Sequence, residues 1–398
     1  MIEEELKKVQ GIDSYGANIP DWAEEIKVKF VEDVVGNKID VANEWIKNMY
    51  YELEVLKEKL GVKGWIFSRE MKSFLDDPKR HLVKKLFLYF HDLVRGRITA
   101  EEFKIKGRQA INSSLGSNLR SIYQIWGLAS ILSMLADKGF NISYPEHKFL
   151  NFDRGGKQKS GIIPPNVVVE DVLGRSFSFF LEAPRPISWE DGGDLEKVWK
   201  LYSTLRPDML IYRGFYMNIV DLDNEIPIKR PNIIVEFKEL DDWWKRWRYL
   251  KEYKPLTGNE WRARWIKGLY DGLADILGVK PQSQPQFQEA NEKRIKEYKI
   301  IELYKKIYSP DLAVLISRVG IDDNVKTELI SDGVLVLDQV DFDENKMVKL
   351  VDAMLDKDDF NSLQGLDVKE LAYKFAMENK DLFREWLKKH FIKLDLPT

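Results

Sequence analysis

Residues 232–240 read NIIVEFKEL, an apolar run carrying Glu236 and Lys238 two positions apart. Successive side chains of a strand point to opposite faces, so Glu236 and Lys238 share one face while Val235 and Phe237 share the other. Burying a carboxylate and an ammonium on such a strand costs several kcal/mol unless each finds a partner. A chain with this strand must therefore gather further charge, or a cation, at the strand's end. A second run, LRPDMLIY at 205–212, supplies a candidate: Asp208 opens an apolar strand after a proline that fixes the chain's entry. Two carboxylates completed by phosphate oxygen and water are the hard-oxygen set that Mg²⁺ favours.

The remaining pattern frames these two strands. Residues 20 to about 110 read as helices with polar faces, as in 40–60, where Val41, Trp45, Met49, Tyr50 and Leu53 recur at helical spacing. A long helix is predicted from about Ser117 to Lys138, stopped by Gly139. Strands are expected at 167–172 and 177–183, joined at Leu173-Gly174-Arg175, then at 208–212, 232–238, 312–317 and 333–340. Helices are expected at 195–203, at 260–277 and from 345 onward, with a Pro/Gln-rich loop at 281–287. This order gives an α/β fold with a central mixed sheet flanked by helices. At 398 residues the chain divides into a helical N-terminal region (1–112), a core (113–342) and a helical C-terminal extension (343–398).

Composition excludes several chemistries. With no cysteine there are no disulfides, zinc ribbons or thiol nucleophiles, and the Lys- and Glu-rich usage leans toward a thermophilic host. The four histidines, His81, His91, His147 and His390, are scattered without metal-ligand spacing. No phosphate-binding G-x-x-x-x-G-K-[ST] loop is present. The charged MIEEELKKVQ start and the lack of a long apolar run lead to the expectation of a soluble, cytoplasmic protein with no membrane partner.

Pro207-Asp208, followed by Glu236-Phe237-Lys238 on a strand, resembles the signature of the PD-(D/E)XK nuclease superfamily, over roughly residues 115–340. SIYQIWGLASIL at 121–132 and LYDGLADIL at 269–277 are similar to helices flanking the core in nuclease subunits of modification-dependent restriction systems. Around Tyr270 the match departs from that pattern, since Leu269 and Asp271 stand where Gln or Lys is usual. The resemblance implies a restriction-endonuclease-like core and a Mg²⁺- or Mn²⁺-dependent endonuclease hydrolysing DNA, in defence, repair or mobile-element biology. Asp208, Glu236 and Lys238 would be catalytic. Asp208 and Glu236 would hold the metal with a third acid, Glu182 as first choice and Glu170 as second. A non-catalytic nucleic-acid-binding or assembly protein on the same fold is the alternative, and the N-terminal helices would serve homodimerisation or a partner protein.

The stretch after the lysine strand is both basic and aromatic. From Lys229 to Lys267 there are eleven Lys/Arg against six Asp/Glu, in a chain whose net charge is −3. Lys245, Arg246, Arg248, Arg262, Arg264 and Lys267 are candidate phosphate partners. Trp244, Trp247, Trp261 and Trp265 are either core anchors or stacking surfaces for unpaired bases.

Overall fold

A capping box sets the start of the longest element. In the computed structural model, which describes residues 2–11, 21–153, 162–184, 205–221, 224, 226–250 and 293–356, the backbone N–H of Glu102 donates to Thr99 Oγ1 at 3.2 Å. Glu102 Oε2 in return accepts from the Thr99 N–H at 2.8 Å. The helix so begun, α7 (Ala100–Asp137), runs 38 residues, well upstream of the Ser117 start read from the apolar stripe. The stripe is broken before Ser117 by Gly107, Gly116 and several charges, while the Thr99–Glu102 cap is the stronger start signal. The expected boundary at 112/113 thus falls inside one continuous helix.

Among the described residues six helices precede it: α1 (Ile2–Val9), α2 (Asp21–Val35), α3 (Lys38–Leu60), α4 (Arg69–Asp76), α5 (Pro78–Lys85) and α6 (Phe87–Val94). Trp45, Met49 and Leu53 of α3 are buried as their spacing predicts, while Tyr50 is half-buried and Val41 exposed, and α3 packs along α7. Gly61 closes α3 with φ +65°, a left-handed cap in which its N–H donates to the Lys57 carbonyl. A short strand, β1 (Gly64–Ile66), pairs in parallel with β3 (Phe149–Asn151), outside the main sheet.

The main sheet holds β2 (Asn141–Tyr144), β4 (Val167–Glu170), β5 (Ser176–Leu181), β6 (Met209–Arg213), β7 (Ile233–Lys238), β10 (Leu312–Ser317) and β11 (Val334–Leu337). Their order across the sheet is β11-β10-β7-β6-β5-β4-β2. β7 is the hinge of this mixed sheet, antiparallel to β6 and parallel to β10, which is parallel to β11. The hairpin β4–β5 turns through Gly174 at φ +78°, in agreement with the turn read at 173–175. The pattern gave no sign of β1, β2 or β3, nor of β8 (Trp247–Leu250) and β9 (Lys293–Lys296), which form an antiparallel ribbon. Helices α8 (Ile300–Tyr308) and α9 (Asp323–Ser331) were also not read from the pattern.

All six residues of β7 are buried because both faces of the sheet are covered. On one face Gly127 and Tyr123 of α7 meet Phe237, the Tyr123 and Phe237 rings 6.0 Å apart and edge to face. On the other, Ile300, Tyr304 and Tyr308 of α8 pack with Phe180, Leu210 and Ile234. A Cβ on Gly127 would lie 2.7 Å from Phe237 Cζ, so the helix–sheet distance depends on this glycine. Gly127→Ala is expected to cost about 1–3 kcal/mol by overpacking. In urea unfolding its midpoint falls, and adding Phe237→Leu restores part of the loss.

Residues 1–348 form one compact unit and 349–398 a second. The expected C-terminal helix begins as the 3₁₀ turn Glu344–Met347 and α10 (Val348–Leu355), and the remainder of the extension lies outside the described residues. The helices expected at 195–203 and 260–277 and the loop at 281–287 also lie outside them. No helix among the described residues is long and apolar enough to cross a membrane.

Candidate active site

Strand register brings three carboxylates side by side. Leu181 of β5 pairs with Met209 of β6, which pairs with Val235 of β7, so one step further Glu182, Asp208 and Glu236 stand opposite one another. The Glu182 N–H donates to the Asp208 carbonyl at 2.8 Å, which ties the first pair together. Glu170, the second choice for a third acid, pairs with Ser176, six residues along β5 from Glu182. At about 3.3 Å per residue that is roughly 20 Å away, so Glu170 belongs to the other end of the sheet.

The backbone that delivers Asp208 is held by α8. The Tyr304 hydroxyl donates to the Arg206 carbonyl at 3.1 Å and the Tyr308 hydroxyl to the Leu205 carbonyl, just before Pro207. Asp208 Oδ2 then accepts the Phe237 N–H at 2.7 Å, linking the two strands through a side chain where their ladder ends. Its Oδ1 meets no hydrogen-bond donor among the described residues. Burial, then the charges of Glu236 and Glu182, push the Asp208 carboxyl well above the usual carboxylate range, against the opposing pull of Lys238 and the Phe237 N–H.

Lys238 is the counter-charge. Its Nζ lies 2.9 Å from Glu236 Oε1 and 2.6 Å from Glu297 Oε1. Burial opposes the ammonium, but Glu236, Glu297 and Asp208 outweigh it and hold the pKa above the ordinary lysine value. The shift favours the ammonium form, so Lys238 serves as the positive counter-charge to the carboxylates around it. Glu297 is depressed below the usual carboxylate range because Lys238 and Arg248 outweigh its burial.

Glu297 and Arg120 were missed by sequence reading. Glu297 follows β9, 59 residues beyond Lys238, and no local spacing links the two. Arg120 was findable: it lies one and two turns before Tyr123 and Gly127, the α7 residues that face β7. Its Nε is 3.4 Å from Glu239 Oε1, and Glu239, Asp208, Glu236 and Glu182 raise its pKa against burial. Arg120, Asp208, Glu236, Lys238, Glu239, Glu297, Tyr304 and Trp247 line a cleft of about 400 Å³.

Of the predicted phosphate partners, Arg248 reaches the cleft, 3.5 Å from Glu297 Oε1. Arg246 also lines it while paired with Asp242 at 2.8 Å, and Lys245 lies 5.8 Å from the Trp244 ring centroid. Arg262, Arg264 and Lys267, with Trp261, Trp265, Tyr270 and His390, lie outside the described residues. Among the described residues no three His, Asp or Glu side chains converge as a ready-made metal cage. Asp208 and Glu236 nevertheless fit a hard cation: one carboxylate keeps an oxygen without a donor, and the repulsion that raises its pKa is what a divalent charge relieves. No family model matches the chain, and comparison with curated proteins and with solved structures returned no match.

Proposed function

We propose that the chain is a divalent-metal-dependent nuclease that hydrolyses phosphodiester bonds in DNA at the cleft between β6, β7 and the β8–β9 ribbon. The observation that supports this most directly is the meeting of Asp208, Glu236 and Lys238 at one buried sheet end, in the pattern Pro-Asp followed by Glu-x-Lys. Asp208 and Glu236 would hold Mg²⁺ or Mn²⁺, with Glu182 close behind. When bound, the ion supplies Lewis-acid polarisation of the phosphate and a more acidic water. Lys238, fixed in its charged state, offsets negative charge building on the phosphate. Arg120 and Arg248, both at the cleft, can hold phosphate oxygens through paired N–H donors.

A second reading is a binding protein on the same fold without turnover. It is favoured by the engagement of Lys238 with two carboxylates at once, which leaves its ammonium little freedom to meet a substrate. One assay separates the two. Linear, supercoiled and single-stranded DNA are incubated with the protein in Mg²⁺, Mn²⁺ or EDTA, with Asp208→Ala and Glu236→Ala as controls. Cleavage that needs the metal and both carboxylates is the expected result. Binding without cleavage in either metal selects the second reading.

A further inference from the structure

The three tryptophans of the basic stretch that can be placed divide by role. Trp243 is 1% exposed and its Nε1 donates to Ser317 Oγ at 2.9 Å, so it is a packing residue. Trp244 stands half-buried and edge to face against it, ring centroids 5.9 Å apart. Trp247 is 55% exposed, at the lip of the cleft that holds Asp208 and Glu236. It sits at the base of the β8–β9 ribbon, opposite Lys296, whose Nζ lies 4.4 Å from the indole centroid. That contact steadies the ring by cation–π attraction and still leaves more than half of the side chain open to solvent.

An indole in this position does nothing for a phosphate, and the bases of a duplex are already stacked on one another. An unpaired base offers it a free π-face, and the flanking cations can take the adjoining phosphates. We propose that Trp247, with Arg248 and Lys296, forms a subsite that stacks one unpaired nucleobase at the cleft mouth, so that the preferred substrate is single-stranded or locally unpaired nucleic acid. This rests on the nuclease reading for what happens next at Asp208, but the binding step stands apart from it.

The test is equilibrium binding in EDTA, read by the anisotropy of a fluorescein-labelled oligothymidylate, an abasic strand of the same length and a duplex of the same length. Wild-type protein is expected to prefer the oligothymidylate to the abasic strand by about 5- to 150-fold, the range spanned by one base–aromatic stack. Trp247→Ala is expected to erase that preference and leave the abasic affinity unchanged, while Trp247→Phe keeps most of it. Equal affinity of wild type and Trp247→Ala for oligothymidylate overturns the subsite, as does a wild-type protein that binds none of the strands. Metal-dependent, Asp208-dependent cleavage found together with equal oligothymidylate binding by wild type and Trp247→Ala overturns the subsite and leaves the nuclease standing. Trp247-dependent base preference without cleavage in any metal upholds the subsite and sinks the nuclease.

Discussion

Lys238→Met is expected to lower the unfolding free energy by about 3–5 kcal/mol, the cost of leaving buried carboxylates without their partner. Methionine keeps most of the lysine stem's volume, so the loss is electrostatic. Glu236 and Lys238 have side chains only 4% and 7% exposed, and Glu297 is 19% exposed, so water cannot take over the role of the ammonium. The size of the effect depends on how many negative charges are orphaned. Adding Glu297→Gln or Glu236→Gln to Lys238→Met is therefore expected to recover part of the lost stability, while the single glutamine variants cost less than Lys238→Met. Urea unfolding of wild type, Lys238→Met, the two double variants and the two single glutamine variants at neutral pH decides it. A Lys238→Met midpoint indistinguishable from wild type would show that the ammonium is not the counter-charge of the site. In the cleavage assay the same variant is expected to lose about 10²- to 10³-fold in rate, as when one preorganised charge partner is removed from a transition state. Saturating Mg²⁺ is not expected to restore that loss, because a bound cation would not replace the missing ammonium.

The parts of this site that could be read from the chain are those encoded by short-range alternation. Glu236 and Lys238 share a face because a strand has a period of two, and Val235 and Phe237 are buried on the other face for the same reason. Asp208 is placed beside them by the apolar run that follows it, whereas Glu182 rests on the family resemblance, which implies a third acid from an earlier element. Glu297 was not legible: its contact with Lys238 crosses 59 positions and depends on how the β8–β9 ribbon folds back, which no local pattern encodes. The ribbon itself reads KRIK on one strand and WRYL on the other, too short and too charged to announce a sheet. The early start of α7 is written in Thr99 and Glu102, a cap that outweighs the gap in the apolar stripe before Ser117. Helix α8, IIELYKKIY, alternates apolar and basic residues at helical spacing but spans barely two turns, short enough to pass for a connector.

Glu52→Gln is expected to stabilise the protein by about 1–3 kcal/mol above pH 7 and to do almost nothing near pH 4.5. Glu52 sits on α3 at 4% exposure, facing Ser133 of α7 and Glu344 of the 3₁₀ turn Glu344–Met347. Burial first, then the charge of Glu344, pushes its carboxyl up to about 7, while Lys59 and the Ser133 hydroxyl pull the other way. Because the folded pKa is raised, the native state holds a proton that the unfolded chain has released between about pH 4.5 and 7. The stability contributed by the neutral carboxyl is thus fully present below the ordinary pKa and lost as pH rises to about 7. His81 works in the opposite sense over an overlapping range. Buried, with Nε2 3.1 Å from Ser114 Oγ, it has its pKa lowered to about 4 by burial and then by Lys85 and Lys84, Glu70 opposing. Its contribution is present above the ordinary histidine pKa and lost as pH falls toward 4, so the two groups partly cancel in the wild-type profile between about pH 4.5 and 6.5. The difference between wild type and Glu52→Gln removes His81 and every other unchanged group, and it isolates Glu52. Urea midpoints measured from pH 4 to 8 should show that difference opening steadily through pH 5–7 and flat above. A difference constant with pH would mean that Glu52 is charged throughout, its carboxylate balanced by Lys59 rather than strained by Glu344.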